Sequence, residues 1–176
     1  MKTAAEVIEK IANNASNAGF GVRRSLTLPG CGRVDLAASR TRFSWKGILF
    51  FSEHILVQHI QHASAPDAGA LFQAAFQYGK RRNRIPLPRG FQFGYVIIPV
   101  IISEDPNSAL VQLVAQSPPR HWALFEFPVV VDLSGSGITY FTGTQNWGRL
   151  YLSDIRLLVR GMVERAIARP QDAPGL

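Results

Sequence analysis

Cysteine and lysine are scarce in this chain. Its 176 residues include one Cys, Cys31, and four Lys. A single thiol cannot close an internal disulfide, so stability has to come from a packed core. No apolar run approaches the ~18 residues that a membrane span requires. The longest, around Tyr95–Ile102, is far too short. The N-terminal MKTAAEVIEK lacks the apolar segment of a secretory signal. Together these absences lead one to expect a cytoplasmic protein without a membrane segment. There is also no Walker loop, no dinucleotide glycine fingerprint, no nucleophile elbow and no paired-cysteine zinc motif. The sequence therefore offers no motif-level case for a nucleotide hydrolase, a dinucleotide oxidoreductase, a serine hydrolase or a zinc finger.

Arginine is abundant where lysine is not. Fifteen Arg dominate a formal net charge of +7 and a pI of about 10.2. Guanidinium groups suit bidentate phosphate contacts, and a pI above ~9 is a footprint of nucleic-acid binding. Part of this charge clusters in Lys80, Arg81, Arg82, Arg84 and Arg89, a proline-broken basic stretch expected to form a rim for DNA or RNA. The apolar fraction of 47% is ordinary for a globular chain, and the length suits one domain, residues 1–168, with a short proline-containing tail at 169–176.

Thr3-Ala4-Ala5-Glu6 is a capping box. Val7, Ile8, Ile11, Ala12 and Ala15 follow at helical spacing up to Gly19, predicting a helix over 4–18. Alternation from Val22 to Leu28 predicts a strand with Val22, Arg24, Leu26 and Leu28 on one face. Arg33–Arg40 forms a second strand, with Val34, Leu36 and Ala38 on one face and Asp35 on the other. A third strand starts near Trp45. Past Ser52 it either continues or breaks into a helix, because His54–Ile60 fits both periods. A helix over Asp67–Arg82 and a nearly all-apolar strand over Phe91–Ile102 come next. Pro99 implies a bulge or a one-sided neighbour in that strand. Asp105 is expected to cap a helix with Pro106 at its first turn, ending at Ser117-Pro118-Pro119. A strand over Ala123–Leu133, a hairpin into Ile138–Phe141, a loop over 142–148 and a last helix capped by Ser153 complete an α/β chain. In that last helix Arg156, Arg160 and Glu164 are expected to face outward.

Asp35 and Glu53 are the candidate metal ligands. Two carboxylates on neighbouring strands can share a divalent cation. Other candidates are weaker. His59 and His62 share a face only if their segment is helical, and His54 is the third histidine of the group. Cys31 lacks a nearby partner to activate it. Glu126 alternates away from its flanking phenylalanines, and the 143–148 loop is polar with one Trp.

Helix, three strands, helix, strand, with an acid early in strand two and another in strand three, resembles the PD-(D/E)XK nuclease superfamily and its restriction-endonuclease-like fold. Arg33-Val34-Asp35-Leu36 is similar to the strand-two aspartate motif. Gln73 in Ala70-Leu71-Phe72-Gln73, with Tyr78 further on, is similar to the glutamine and tyrosine of some branches. The resemblance covers residues 3–102. It implies a mixed sheet flanked by helices, one or two Mg2+ ions on Asp35 and Glu53, and phosphodiester hydrolysis with Gln73 assisting. The family's lysine, two residues after the second acid, is replaced by Ile55. Lys46 and Lys80 are the candidates for a lysine supplied from elsewhere. Without one, the resemblance implies a nucleic-acid-binding relative that has lost catalysis. The alternative from a different class is a non-enzymatic protein-interaction domain.

Overall fold

The computed structural model describes residues 2–44, 49–82, 93–116, 120–121, 124–143 and 149–168. The first helix, α1 (Ala4–Asn17), starts with the capping box that its sequence encodes. Thr3 Oγ1 accepts from the Glu6 amide while the Glu6 carboxylate accepts from the Thr3 amide. The helix buries Val7, Ile11, Ala12 and Ala15, and the chain leaves it through Gly19 at φ +80°, a conformation glycine adopts without strain.

Three antiparallel strands follow: β1 (Gly21–Leu28), β2 (Gly32–Ser44) and β3 (Leu49–His59). The ambiguous His54–His59 stretch is strand. Next come α2 (Ala65–Arg82) and β4 (Phe93–Ser103), which pairs parallel to β3. After α3 (Ser108–Ala115) come four short strands: β5 (Arg120–His121), β6 (Leu124–Glu126), β7 (Val129–Asp132) and β8 (Gly137–Tyr140). α4 (Arg149–Val159) runs through a π-helical turn at Arg160–Glu164 into the short α5 (Arg165–Ile167). The eight strands form one mixed sheet in the order β1-β2-β3-β4-β6-β5, with β7 also on β4 and β8 on β7. One face packs on α1, α4 and α5, the other on α2 and α3. The chain is thus an α/β fold with a mixed sheet between helical layers. No helix among the described residues is long and apolar enough to cross a membrane.

Several local departures from the sequence reading have physical causes. Strict alternation puts Val22, Leu26 and Leu28 together, and likewise Val34, Leu36 and Ala38. In the structure Val22, Leu36 and Ala38 pack with α1, whereas Leu26, Leu28 and Val34 pack with α2. Ser25 lies at φ +53°. That left-handed residue breaks the pleat, so β1 and the facing part of β2 exchange faces there. Pro99 interrupts no ladder bond. The outer neighbour of β4 changes there from β6, which pairs Tyr95–Ile97, to β7, which pairs Val100–Ser103. The missing amide falls in the gap, and Pro128 splits the expected 123–133 strand at the same level. Asp105 does not cap α3. The amides of Glu104, Asp105 and Asn107 bond back to Gln61 and Ala63 carbonyls, tying that segment to the end of β3, and Asn107 Oδ1 caps instead by accepting from the Ala109 amide. Finally, α4 begins at Arg149, so Ser153 lies within the helix and does not cap it, and two of the polar residues expected to face outward from this last helical segment are engaged. Arg156 donates to the carbonyls of Phe141 and Gly143, and Glu164 accepts from Tyr140 Oη.

Candidate functional site

The hairpin register decides the fate of the Asp35–Glu53 pair. Glu53 stands directly across from Arg40, not from an acid. Asp35 lies five residues further along β2 from that position, about 16 Å of extended strand. The two carboxylates therefore do not come together, and the expected shared Mg2+ site is not formed by them. Each acid is engaged separately. Asp35 Oδ2 accepts from the backbone amide of His59 at 2.8 Å, with Arg33 at 4.0 Å from its other oxygen. Glu53 is 3% exposed on the α1 face, beside Phe51 and Ile55 in the core. It accepts from Arg40 Nε and, at 3.0 Å, from Arg42 Nε. Arg40 is itself fixed. Its Nη1 donates to the Ala18 carbonyl at 2.7 Å, and its guanidinium sits 4.4 Å from the Phe20 ring centroid. This is a tie between the sheet and the end of α1.

The remaining predicted catalytic residues are dispersed. Gln73 and Lys80 are exposed on α2, which packs on the face opposite Glu53, so the sheet separates Lys80 from that carboxylate. Lys46 lies outside the described residues. The histidines do not converge. His59 Nε2 meets Glu104 at 2.9 Å, His62 lies 3.8 Å from Asp105, and His54 is buried under α2. Among the described residues no group of three or more His, Cys, Asp or Glu could hold a metal ion. Cys31 is half-buried and burial pushes its thiol up from the ordinary value, the reverse of an activated nucleophile.

What the fold does build is a basic cleft. Ala74, Gln77, Tyr78, Arg81 and Arg82 recur at spacings of three and four on α2, so they form one stripe of the helix. That stripe faces Arg23, Leu28 and Pro29 from the first hairpin across a cleft of about 470 Å³. Its size lies within the range of small-ligand sites. Arg23, Arg81 and Arg82 are exposed, and among the described residues no carboxylate lines the cleft. Three like charges gathered in a concavity without a counter-charge favour an anion. The Arg82 guanidinium sits 5.5 Å from the Tyr78 ring centroid. Behind Tyr78, the His54 ring meets it edge-on at 5.9 Å. Ser39 Oγ lies 2.9 Å from His54 Nδ1. Burial, helped by the Arg82 charge, lowers the His54 pKa from 6.5 to about 4, so this imidazole is neutral near pH 7.

Of the basic rim expected from sequence, Arg81 and Arg82 line the cleft, Lys80 points elsewhere, and Arg84 and Arg89 lie outside the described residues. Arg23, Gln77 and Tyr78 were not foreseen as cleft residues. For Tyr78 the sequence offers its place on the basic helix and its likeness to the tyrosine of some nuclease branches, and nothing in the sequence ties β1 to α2.

Comparisons with family models, with curated proteins and with solved structures found no match to this chain.

Proposed function

We propose that this chain is a nucleic-acid-binding domain that grips a phosphate backbone in the cleft between β1 and α2. The observation that carries the reading is the convergence of Arg23, Arg81 and Arg82 around a cleft with no acidic residue among the described residues of its lining. Arginine forks match phosphate oxygens in geometry as well as charge. The chain's excess of arginine over lysine and its basic pI point the same way. The element order α1, β1–β3, α2, β4 is also compatible with a distant restriction-endonuclease-like relationship. With Asp35 and Glu53 held apart and Ile55 in the lysine position, the reading we favour is a relative that binds without hydrolysing.

The test is fluorescence anisotropy with labelled DNA and RNA across a salt series. Neutralising about three phosphates gives a log–log salt slope of roughly −2 to −3. A variant carrying R23E, R81E and R82E is expected to lose this binding while keeping its circular dichroism spectrum. No binding at about 50 mM salt, or unchanged binding by the triple variant, overturns the reading. The non-catalytic part has its own check: Mg2+-dependent cleavage that Asp35→Ala abolishes would show that a metal centre forms after all.

A further inference from the structure

Resting on that reading, we infer that the cleft takes one unpaired nucleotide unit of a single strand, with its base stacked on Tyr78 and its flanking phosphates on Arg23, Arg81 and Arg82. The two halves of the cleft do different work. The arginines supply a charge that any nucleic acid would satisfy. Tyr78 supplies an aromatic surface, half-buried and placed inside the cleft, that a paired base inside a duplex cannot reach. A single-strand site combines both elements: a positive groove for the backbone and an aromatic platform for the base.

The platform is held in position. The His54 ring meets Tyr78 at an interplanar angle of 89°, so the two rings pack edge to face and do not stack. Ser39 in turn anchors His54 Nδ1. The next residue on the helix is Gly79, where a Cβ would come within 2.6 Å of Ile97 Cδ1. Glycine therefore lets this turn of α2 approach β4 closely and seats Tyr78 against the sheet. Arg82, one turn later, lies over the same ring. A guanidinium there can extend the stacking surface or turn to a phosphate. The open cleft, about 470 Å³ in volume, is of a size that suits a nucleotide unit.

The experiment measures three probes by anisotropy and competition: a labelled oligothymidylate of about 12 nucleotides, a duplex of the same length, and thymidine monophosphate. The full chain is compared with Tyr78→Phe, Tyr78→Leu and the triple arginine variant, with thermal unfolding recorded for each. Wild type is expected to prefer the single strand over the duplex. Tyr78→Phe keeps that preference. Tyr78→Leu, which retains bulk but not the π-face, is expected to bind the single strand about 5- to 100-fold more weakly with little change for the duplex. Equal binding of single strand and duplex, with Tyr78→Leu indistinguishable from wild type, overturns the stacking inference. The nucleic-acid reading then still stands, provided the triple arginine variant loses binding to both. Loss of neither in the triple variant overturns both. Thymidine monophosphate competing as well as the oligomer would instead make this a free-nucleotide pocket and overturn the strand assignment. If Tyr78→Leu does not fold, Tyr78→Phe together with the single-strand preference of wild type decides the matter.

Discussion

Glu53 and His54 are adjacent in sequence, both buried, and point to opposite faces of the sheet, where they meet opposite electrostatic conditions. Glu53 lies between two arginines, and removing it leaves Arg40 and Arg42 facing each other without their carboxylate partner. Glu53→Ala is expected to cost about 3 kcal/mol, the lower end for breaking a buried pair because both arginines are partly exposed. A urea titration read from the shift in midpoint at constant slope checks it. His54 acts through its proton. The unfolded chain takes up that proton near pH 6.5, the folded chain only near pH 4. Between those values the unfolded state binds more protons, so stability rises with pH there. This contribution is fully present above pH 6.5 and is lost as the pH falls through 4, to a total of about 3 kcal/mol. His54→Gln is expected to flatten that segment of the stability–pH profile relative to wild type. Parallel profiles for the two proteins would contradict it.

At the scale of elements, the contact between α2 and β4 sets the cleft. Gly79 is a poor helix former, and replacing it with Ala gains about 1 kcal/mol of intrinsic propensity. The added Cβ would meet Ile97 Cδ1 at 2.6 Å, Ile97 Cγ1 at 3.0 Å and the His54 ring at 3.6 Å. Ile97 is in the core and has little room to turn. Overpacking of this kind typically costs 1–3 kcal/mol, so Gly79→Ala is expected to be net destabilising and to shift Tyr78. Thermal unfolding, together with the single-strand preference of the variant, measures both effects. A stabilised variant with unchanged binding would show that α2 can step away from the sheet at no cost.

Across the whole molecule, the charge is not evenly used. Arg24 pairs with Glu9, Arg40 and Arg42 with Glu53, and Arg156 with backbone carbonyls. Arg23, Arg81 and Arg82 have no carboxylate partner among the described residues. They are the free part of the net charge that the fold gathers in one place. Removing any one of them by substitution to Ala is expected to reduce the salt slope of nucleic-acid binding by about 0.7–0.9, one phosphate contact each. Lys80→Ala, on the same helix but outside the cleft, is expected to leave the slope nearly unchanged. Equal effects at Lys80 and Arg81 would mean that the charge acts diffusely.

The sequence alone determined the elements whose signals are local. The Thr3–Glu6 capping box, the helical stripes of α1 and α2, the meander and the buried β4 follow from nearest-neighbour chemistry and periodicity, and each is where that chemistry puts it. It also determined that arginine would dominate the positive charge. Three things were left to tertiary structure because each depends on residues far apart in the chain. The register of β2 on β3 set Arg40, and not Asp35, across from Glu53; pairing is fixed by the core on both faces, which no hairpin motif encodes. The face exchange at Ser25 depends on a backbone conformation that serine adopts only when its surroundings impose it. The cleft itself exists because α2 packs beside β1, bringing Arg23 to Arg81 and Arg82 across more than fifty residues of sequence.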